Sequence, residues 1–329
     1  MKILILGYSS IAKRRIIPAL ETLPQIKTIE ISSESRLSQI PELTKVNKTY
    51  DSYKKAIEKS KANIVYISTV NSLHEQLARM VLLSGRHVIV DKPAFLNLAS
   101  TEKIIELAKT KGLGVAETTV FTYHPQFKII NKLIENYKPI ERIIATFTMP
   151  PFPESNYRRQ PKLGGGAISD LGPYPSAIGR MIFKDQPRII HCRLLKRDPS
   201  TNVDLAFSML ADFGKSRSLI GTFGFDTEYI NSLSLFGPNC SININNAFSI
   251  QPHQENGINF RHQNKNETII SKAGDSFAKM LEDIIMNFTS KSFDKFFYWI
   301  LEDVKIRDKI MLSTKSAKES FHNTKIFKQ

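Results

Sequence analysis

Cysteine is scarce in this sequence: 329 residues hold two, Cys192 and Cys240, far apart and in no CxxC pair. That excludes a disulfide framework and supplies no zinc pattern, so a reducing compartment is the default and no metal is expected. Long apolar runs are also missing. None approaches the ~18 residues that would cross a bilayer, and the apolar stretch Ile3 to Leu6 is stopped by Gly7, too short for a signal-peptide core. A cytoplasmic chain with no membrane partner is the expectation. Acidic residues are outnumbered, 31 against 46 basic, for a formal charge of +15. The basic residues are nevertheless scattered, with no zinc-finger or RNA-recognition signature, so nucleic acid is not an expected partner. Such a field suits small anionic ligands. Repeats and low-complexity linkers are absent.

What is present is the mix of a globular protein, 41% hydrophobic and 23% charged, long enough for two cores. Lys2–Leu6 reads as a strand, followed by a turn and a helix over residues 10–20. Residues 28–32, 63–69, 87–90 and 114–118 read as further strands. Between them, residues 74–84 show helical spacing at Leu77, Val81 and Leu82 and stop at Gly85, and residues 98–110 form another helix. Strands alternating with helices at this pace predict parallel βαβ units in a doubly wound sheet.

After Phe121 the pattern changes. A helix starting at Pro125 carries Phe127, Ile130, Leu133 and Ile134 on one face. Residues 203–211 then alternate with period two, residues 217–225 follow a turn, and residues 229–236 and 241–245 flank the turn Gly237-Pro238-Asn239. Runs of strands without helices between them predict a mostly antiparallel sheet. An amphipathic helix with Phe277, Met280, Leu281, Ile284, Ile285 and Phe288 comes near the end. The expected fold is thus α/β plus α+β: an N-terminal Rossmann domain (1–120) with a doubly wound parallel sheet, and a C-terminal α+β domain (121–329) on a large, mostly antiparallel open sheet.

The turn Gly7-Tyr8-Ser9-Ser10-Ile11-Ala12 sits where a dinucleotide fingerprint, G-x-G-x-x-G/A, belongs. Gly7 would make the tight turn and Ala12 would allow close helix–strand packing, while Ser9 stands where the middle glycine lets the backbone approach a pyrophosphate. At the end of the second strand the chain reads Ser32-Ser33-Glu34-Ser35-Arg36. Ser33 and Arg36 suit the 2′-phosphate of NADP; Glu34 suits the ribose hydroxyls of NAD, which stays the alternative.

Three further segments carry a resemblance. They are Val70-Asn71-Ser72-Leu73-His74, then Gly85-Arg86-His87-Val88-Ile89-Val90-Asp91-Lys92-Pro93, then Gly164-Gly165-Gly166-Ala167-Ile168-Ser169-Asp170-Leu171-Gly172-Pro173-Tyr174. In this order and spacing they resemble the glucose–fructose oxidoreductase / inositol dehydrogenase (Gfo/Idh/MocA) family. Ser10 to Leu20, with Tyr123-His124-Pro125-Gln126, is similar to that family's nucleotide-linked 3-ketohexose reductases. The resemblance implies an NAD(P)-dependent oxidoreductase that moves hydride between a nicotinamide and a sugar carbonyl or hydroxyl, on a nucleotide-linked keto-sugar. The rivals are a dehydrogenase of free sugars, polyols or dihydrodiols, and a non-catalytic nucleotide-binding regulator or scaffold.

The family normally reads Glu-Lys-Pro where this chain has Asp91-Lys92-Pro93. The resemblance makes Lys92 a catalytic candidate beside the nicotinamide, its ammonium stabilising a developing alkoxide; a proline in such a turn suits a cis bond. It also implies that Thr69, Asn71, His74, Asp91 and Pro93 border the cofactor. Tyr174 replaces a histidine that many members carry four residues after the aspartate, and it is the expected acid/base. Asp170, on the same face if the stretch is helical, would orient substrate or lysine, although Pro173 and Pro175 distort such a helix. Tyr123, His124, Arg158 and Arg159 are candidate substrate contacts, the arginines for a diphosphate. A homo-oligomer, dimer or tetramer, is expected through the C-terminal sheet.

Overall fold

The computed structural model describes residues 1–323, with side chains through Thr314. The chain forms two compact units, one of Met1–Tyr123 with Asp275–Leu301, the other of His124–Gly274 with the residues from Glu302 onward.

In the first unit, strands β1 (Lys2–Leu6), β2 (Thr28–Ser32), β3 (Val46–Tyr50), β4 (Ile64–Ile67), β5 (His87–Val90) and β6 (Val115–Glu117) form one sheet in the order β3-β2-β1-β4-β5-β6. Every pair in it is parallel. This is the doubly wound Rossmann order, with its reversal between β1 and β4. The central strands are buried along their length, as continuous apolar runs between two helical layers should be. A π-helical turn, Ala12–Ile16, runs into α1 (Ile17–Thr22), and α2 (Tyr53–Lys59), α3 (His74–Leu83) and α4 (Leu98–Lys111) follow. Helix α4 is capped at both ends: the Asn97 side chain accepts from Ser100 N, and Gly112 closes it at φ +64°.

The second unit contains α5 (Pro125–Tyr137), α6 (Ala167–Leu171) and α7 (Pro173–Phe183), with strands β7 (Arg142–Thr148), β8 (Ile189–Arg197), β9 (Asp204–Gly214), β10 (Arg217–Gly224), β11 (Ile230–Phe236), β12 (Ser241–Asn245), β13 (Asn256–His262) and β14 (Lys265–Ser271). The sheet runs β14-β13-β12-β11-β7-β10-β9-β8, and β7 with β10 is its parallel pair among otherwise antiparallel neighbours. Burial alternates over the middle of the central strands. Ile143, Ala145 and Phe147 are buried with Leu219 and Phe223, while Ile144, Leu210 and Ile220 are exposed. Register places Ile144 opposite Ile220 and Ile220 opposite Leu210.

The chain then returns to the first unit through α8 (Ser276–Thr289), capped by Asp275 Oδ1 at Phe277 N and Ala278 N. Its apolar stripe, Phe277, Met280, Leu281, Ile284, Ile285 and Phe288, belongs to the core beneath the parallel sheet. The Phe288 ring stacks 5.0 Å from His87, and a Cβ on Gly114 would lie 2.4 Å from it. Helix α9 (Asp294–Asn323) begins in that same core with Phe296, Phe297 and Ile300. From Glu302 it belongs to the second unit, where Arg180 donates to Asp303 at 2.8 and 3.0 Å and Cys192 N donates to Ser313 Oγ at 2.8 Å. Residues 275–301, read from sequence as part of the second domain, thus serve the first core; the last six residues of that domain lie outside the described ones.

Candidate functional site

The sharp turn after β1 is enforced by Gly7. Its φ is +101°, and a Cβ there would fall 2.2 Å from Ser68 O, so only glycine fits. Gly7 N donates to Ser32 O at 2.8 Å. Ala12 is fully buried where the helix meets the strand, Ser10 is exposed and Ile11 half-buried. Ser9 Oγ accepts from Ala12 N at 3.0 Å and lies 2.7 Å from Ser68 Oγ.

At the end of β2, Ser33 is buried and its Oγ accepts from Arg36 N at 3.1 Å, while the Arg36 side chain is exposed. Glu34 is exposed and turned toward α2, its carboxylate accepting from Tyr53 N at 3.4 Å. The neighbouring Ser32 hydroxyl is buried with no hydrogen-bond partner among the described residues.

The segments after β4 and β5 close around one carboxylate. Tyr66 donates to Asp91 Oδ1 at 2.5 Å and Ser68 to Oδ2 at 2.6 Å; Thr118 Oγ1 stands 3.5 Å from Oδ1. Burial pushes the Asp91 carboxyl above its usual range, and the Ser68 and Tyr66 hydrogen bonds pull it back in part. Tyr66 is raised well above the ordinary phenol range, first by burial and then by Asp91. Lys92 follows directly, half-buried, and its bond to Pro93 is cis. Ala94 N donates to Glu117 Oε2 at 2.6 Å. His74 is fully buried, with Nδ1 3.0 Å from Pro93 O and Nε2 3.3 Å from Thr69 O; a neutral ring can donate to one of these only. Asn71 is buried beside them, and Thr69 Oγ1 donates to Val70 O at 3.3 Å. The cofactor-side candidates therefore gather at the carboxyl ends of β1, β2, β4 and β5, the side on which open α/β sheets take ligands.

In the second unit the glycine run packs where side chains cannot. A Cβ on Gly165 would lie 2.5 Å from Arg158 O, and one on Gly166, at φ +117°, would lie 2.6 Å from Asp204 Oδ1. Ile168 N donates to Asp204 Oδ2 at 2.6 Å, opening α6. Gly172 keeps helical dihedrals between α6 and α7, φ −56° and ψ −31°, so the two prolines do not break the helical path and Asp170 and Tyr174 stand one turn apart. Asp170 is 4% exposed and accepts from Arg158 Nε at 2.8 Å. The Arg158 guanidinium lies 4.8 Å from the Phe152 ring and 4.7 Å from Tyr157. The Tyr174 ring, partly exposed, packs edge-on to Phe147 at 4.8 Å and against Phe248 at 5.3 Å.

Asp170, Arg158 and Tyr174 thus form one group, and Arg159 is drawn off elsewhere, its Nε 2.6 Å from Asp198 and its Nη1 3.2 Å from Phe152 O. Tyr123 and His124 part as well: the Tyr123 hydroxyl donates to Asp283 at 2.8 Å in the first unit, while His124, buried in the second, caps α5 by accepting from Gln126 N at 3.3 Å. Sequence reading missed Tyr66, Ser68 and Asp204. Their signal was faint: two hydroxyls interrupting the buried strand Ile64-Val65-Tyr66-Ile67-Ser68, and one acid opening a strand.

Residues 1–119 match the family model for the Gfo/Idh/MocA oxidoreductases with an NAD-binding Rossmann fold, and residues 139–243 match that family's C-terminal domain. A dTDP-3,4-didehydro-2,6-dideoxy-alpha-D-glucose 3-reductase from Streptomyces violaceoruber is 27% identical over 76% of this chain and 74% of its own. The enzyme of the same name from Actinomadura kijaniata is 25% identical over 84% of each. In fold, the chain is similar to a 3-ketoreductase from Actinomadura kijaniata solved with NADP and TDP-benzene, with TM-score 0.90, 23% identity and coverage of 95% and 97%. Both matches come from one family: the first covers the parallel sheet with the glycine turn at its head, the second β7 to β11 and most of β12 of the other sheet. The chain belongs to the Gfo/Idh/MocA family of oxidoreductases.

Proposed function

We propose that this protein reduces, reversibly, the keto group of a nucleotide-linked sugar with NADPH. The observation that carries the reading is the presence of Lys92 and Tyr174 in a chain whose relatives across three-quarters of its length are 3-reductases of dTDP-linked deoxysugars. The bound nicotinamide supplies hydride to the carbonyl carbon. Lys92 stabilises the charge that develops on the carbonyl oxygen, and Tyr174 donates the proton that oxygen takes up. Asp170, through Arg158, fixes the helix turn that carries Tyr174. The donor set at the first unit's strand ends suits a phosphorylated dinucleotide: the exposed Ser10 hydroxyl and Arg36 guanidinium, with Ser33 and the Ser32 hydroxyl, which has no hydrogen-bond partner among the described residues. Glu34 faces α2 instead, which favours NADP over NAD. The +15 charge draws an anionic nucleotide sugar. A cytoplasmic homo-oligomer is part of the reading, with the row Ile144, Ile220 and Leu210 on the exposed sheet face as its contact.

Titration with NADPH and NADH, followed by nicotinamide fluorescence, tests it. NADPH is expected to bind saturably and more tightly than NADH, and turnover of a dTDP-linked 3-keto-sugar is expected to fall about 10²–10⁴-fold in Tyr174→Phe while NADPH affinity holds. A protein that binds neither dinucleotide is no oxidoreductase and falls to the scaffold reading.

A further inference from the structure

Ser9, where a dinucleotide fingerprint has its middle glycine, and Asp91, in the segment Asp91-Lys92-Pro93, are joined by a single residue. Ser9 Oγ lies 2.7 Å from Ser68 Oγ, and Ser68 Oγ lies 2.6 Å from Asp91 Oδ2. Chemistry fixes the direction. An ionised carboxylate only accepts, so the Ser68 hydrogen points to Asp91 and its oxygen is left to accept from Ser9. Ser9 in turn accepts from Ala12 N–H. Each hydroxyl donates once and accepts once, and the chain runs from the first turn of the helix to the carboxylate next to Lys92. The far side of Asp91 is held by Tyr66, its own amide donates to Ile67 O at 3.0 Å, and the residues after Lys92 are tied down by His74 at Pro93 O and by Glu117 at Ala94 N.

We infer that Ser9 and Ser68 are positioning residues. Through Asp91 they set Lys92, so the turn that cradles the dinucleotide phosphates also governs the hydride-transfer step. A turn residue concerned with phosphate alone would change cofactor affinity only. The inference rests on the reductase reading above, in which Lys92 serves the reacting oxygen.

The test compares Ser9→Gly, Ser68→Ala, the double variant and Ser9→Thr, measuring NADPH affinity by fluorescence and kcat on a dTDP-linked 3-keto-sugar. Ser9→Gly places in the turn the residue that dinucleotide fingerprints favour, so NADPH affinity is expected to stay within about threefold while kcat drops about tenfold, the scale of supporting-shell losses. Ser68→Ala is expected to do the same. The double variant should lose no more than the worse single one, because both cut one chain, and Ser9→Thr should recover most of the rate. Unchanged kcat in Ser9→Gly, or losses that multiply in the double variant, would overturn the relay. Should the wild-type protein fail to bind NADPH, the reductase reading goes first and the relay with it. A Ser68→Ala variant that does not fold leaves the Ser9 pair, glycine against threonine, to decide.

Discussion

Asp91, half-buried, and Asp170, buried, each stand beside a residue assigned to the chemistry, but opposite means hold them. Asp91 is held by neutral groups, the hydroxyls of Tyr66 and Ser68, and burial leaves its pKa raised, with His74 and Lys92 pulling it down from a distance. Asp170 is held by a guanidinium that is itself clasped between two rings. Burial works against the Arg158 charge, yet Asp170, with the Tyr157 and Tyr174 phenols behind it, raises the Arg158 pKa above that of a free guanidinium. Hydroxyls orient a carboxylate without neutralising it, so the Asp91 charge is still available to act on a neighbouring lysine. A guanidinium cancels the charge it orients, which makes the Asp170 pair a strut for the helix turn under Tyr174.

The sharpest way to break this contrast is to remove the cation. Arg158→Met removes the ion pair to buried Asp170, and a loss of about 3 kcal/mol is expected in chemical denaturation; a loss below about 1 kcal/mol would mean that the Arg158 charge does not hold Asp170. Tyr66→Phe deletes one neutral donor to a carboxylate and should cost about 2 kcal/mol, with the fold intact because the ring stays. The smallest effect is one of pH. A folded carboxyl with a raised pKa binds its proton more tightly than the unfolded chain does, so its stability contribution is full below the ordinary value of 3.8 and fades as pH rises through the folded value. Melting curves of the wild type and Asp91→Asn should therefore favour the wild type most at the acid end. A difference that grows toward neutrality would show that the hydroxyls, not burial, dominate at Asp91.

How far the sequence foretold this depends on the kind of signal each part leaves. Strands β1, β2, β5 and β12 have the bounds that residue pattern assigns, because apolar runs between turn residues have few other uses. Strand β3, Val46-Asn47-Lys48-Thr49-Tyr50, went unread: it is an edge strand with three exposed polar residues, and its β character comes from pairing with β2. Strand β14, the opposite sheet's polar edge, escaped for the same reason; β13 is an inner strand whose apolar signal is only Ile258 and Phe260 among polar neighbours. Helix α8 was legible as a helix, but its stripe says only that it faces a core and not which one. At the site, the glycines could be read because backbone geometry restricts them to few residue types, whereas the Lys92 segment stood out only through its likeness to a family pattern. The Ser9–Ser68 contact spans 59 residues and the Arg158–Asp170 pair joins a loop to a helix; neither has a period, and hydroxyls and charges at such places look like any surface until the fold brings them together.

The path of α8 and the start of α9 bears on modularity. A Rossmann domain is commonly pictured as one uninterrupted stretch of gene, to be cut out, swapped or fused at a single junction. Here a fragment ending at Tyr123 would keep the whole parallel sheet yet lose Phe277, Met280, Leu281, Ile284, Ile285, Phe288 and Phe296 from its core, exposing a greasy flank that invites aggregation. A transplantable version of this module is a splice, residues 1–123 joined to 275–301.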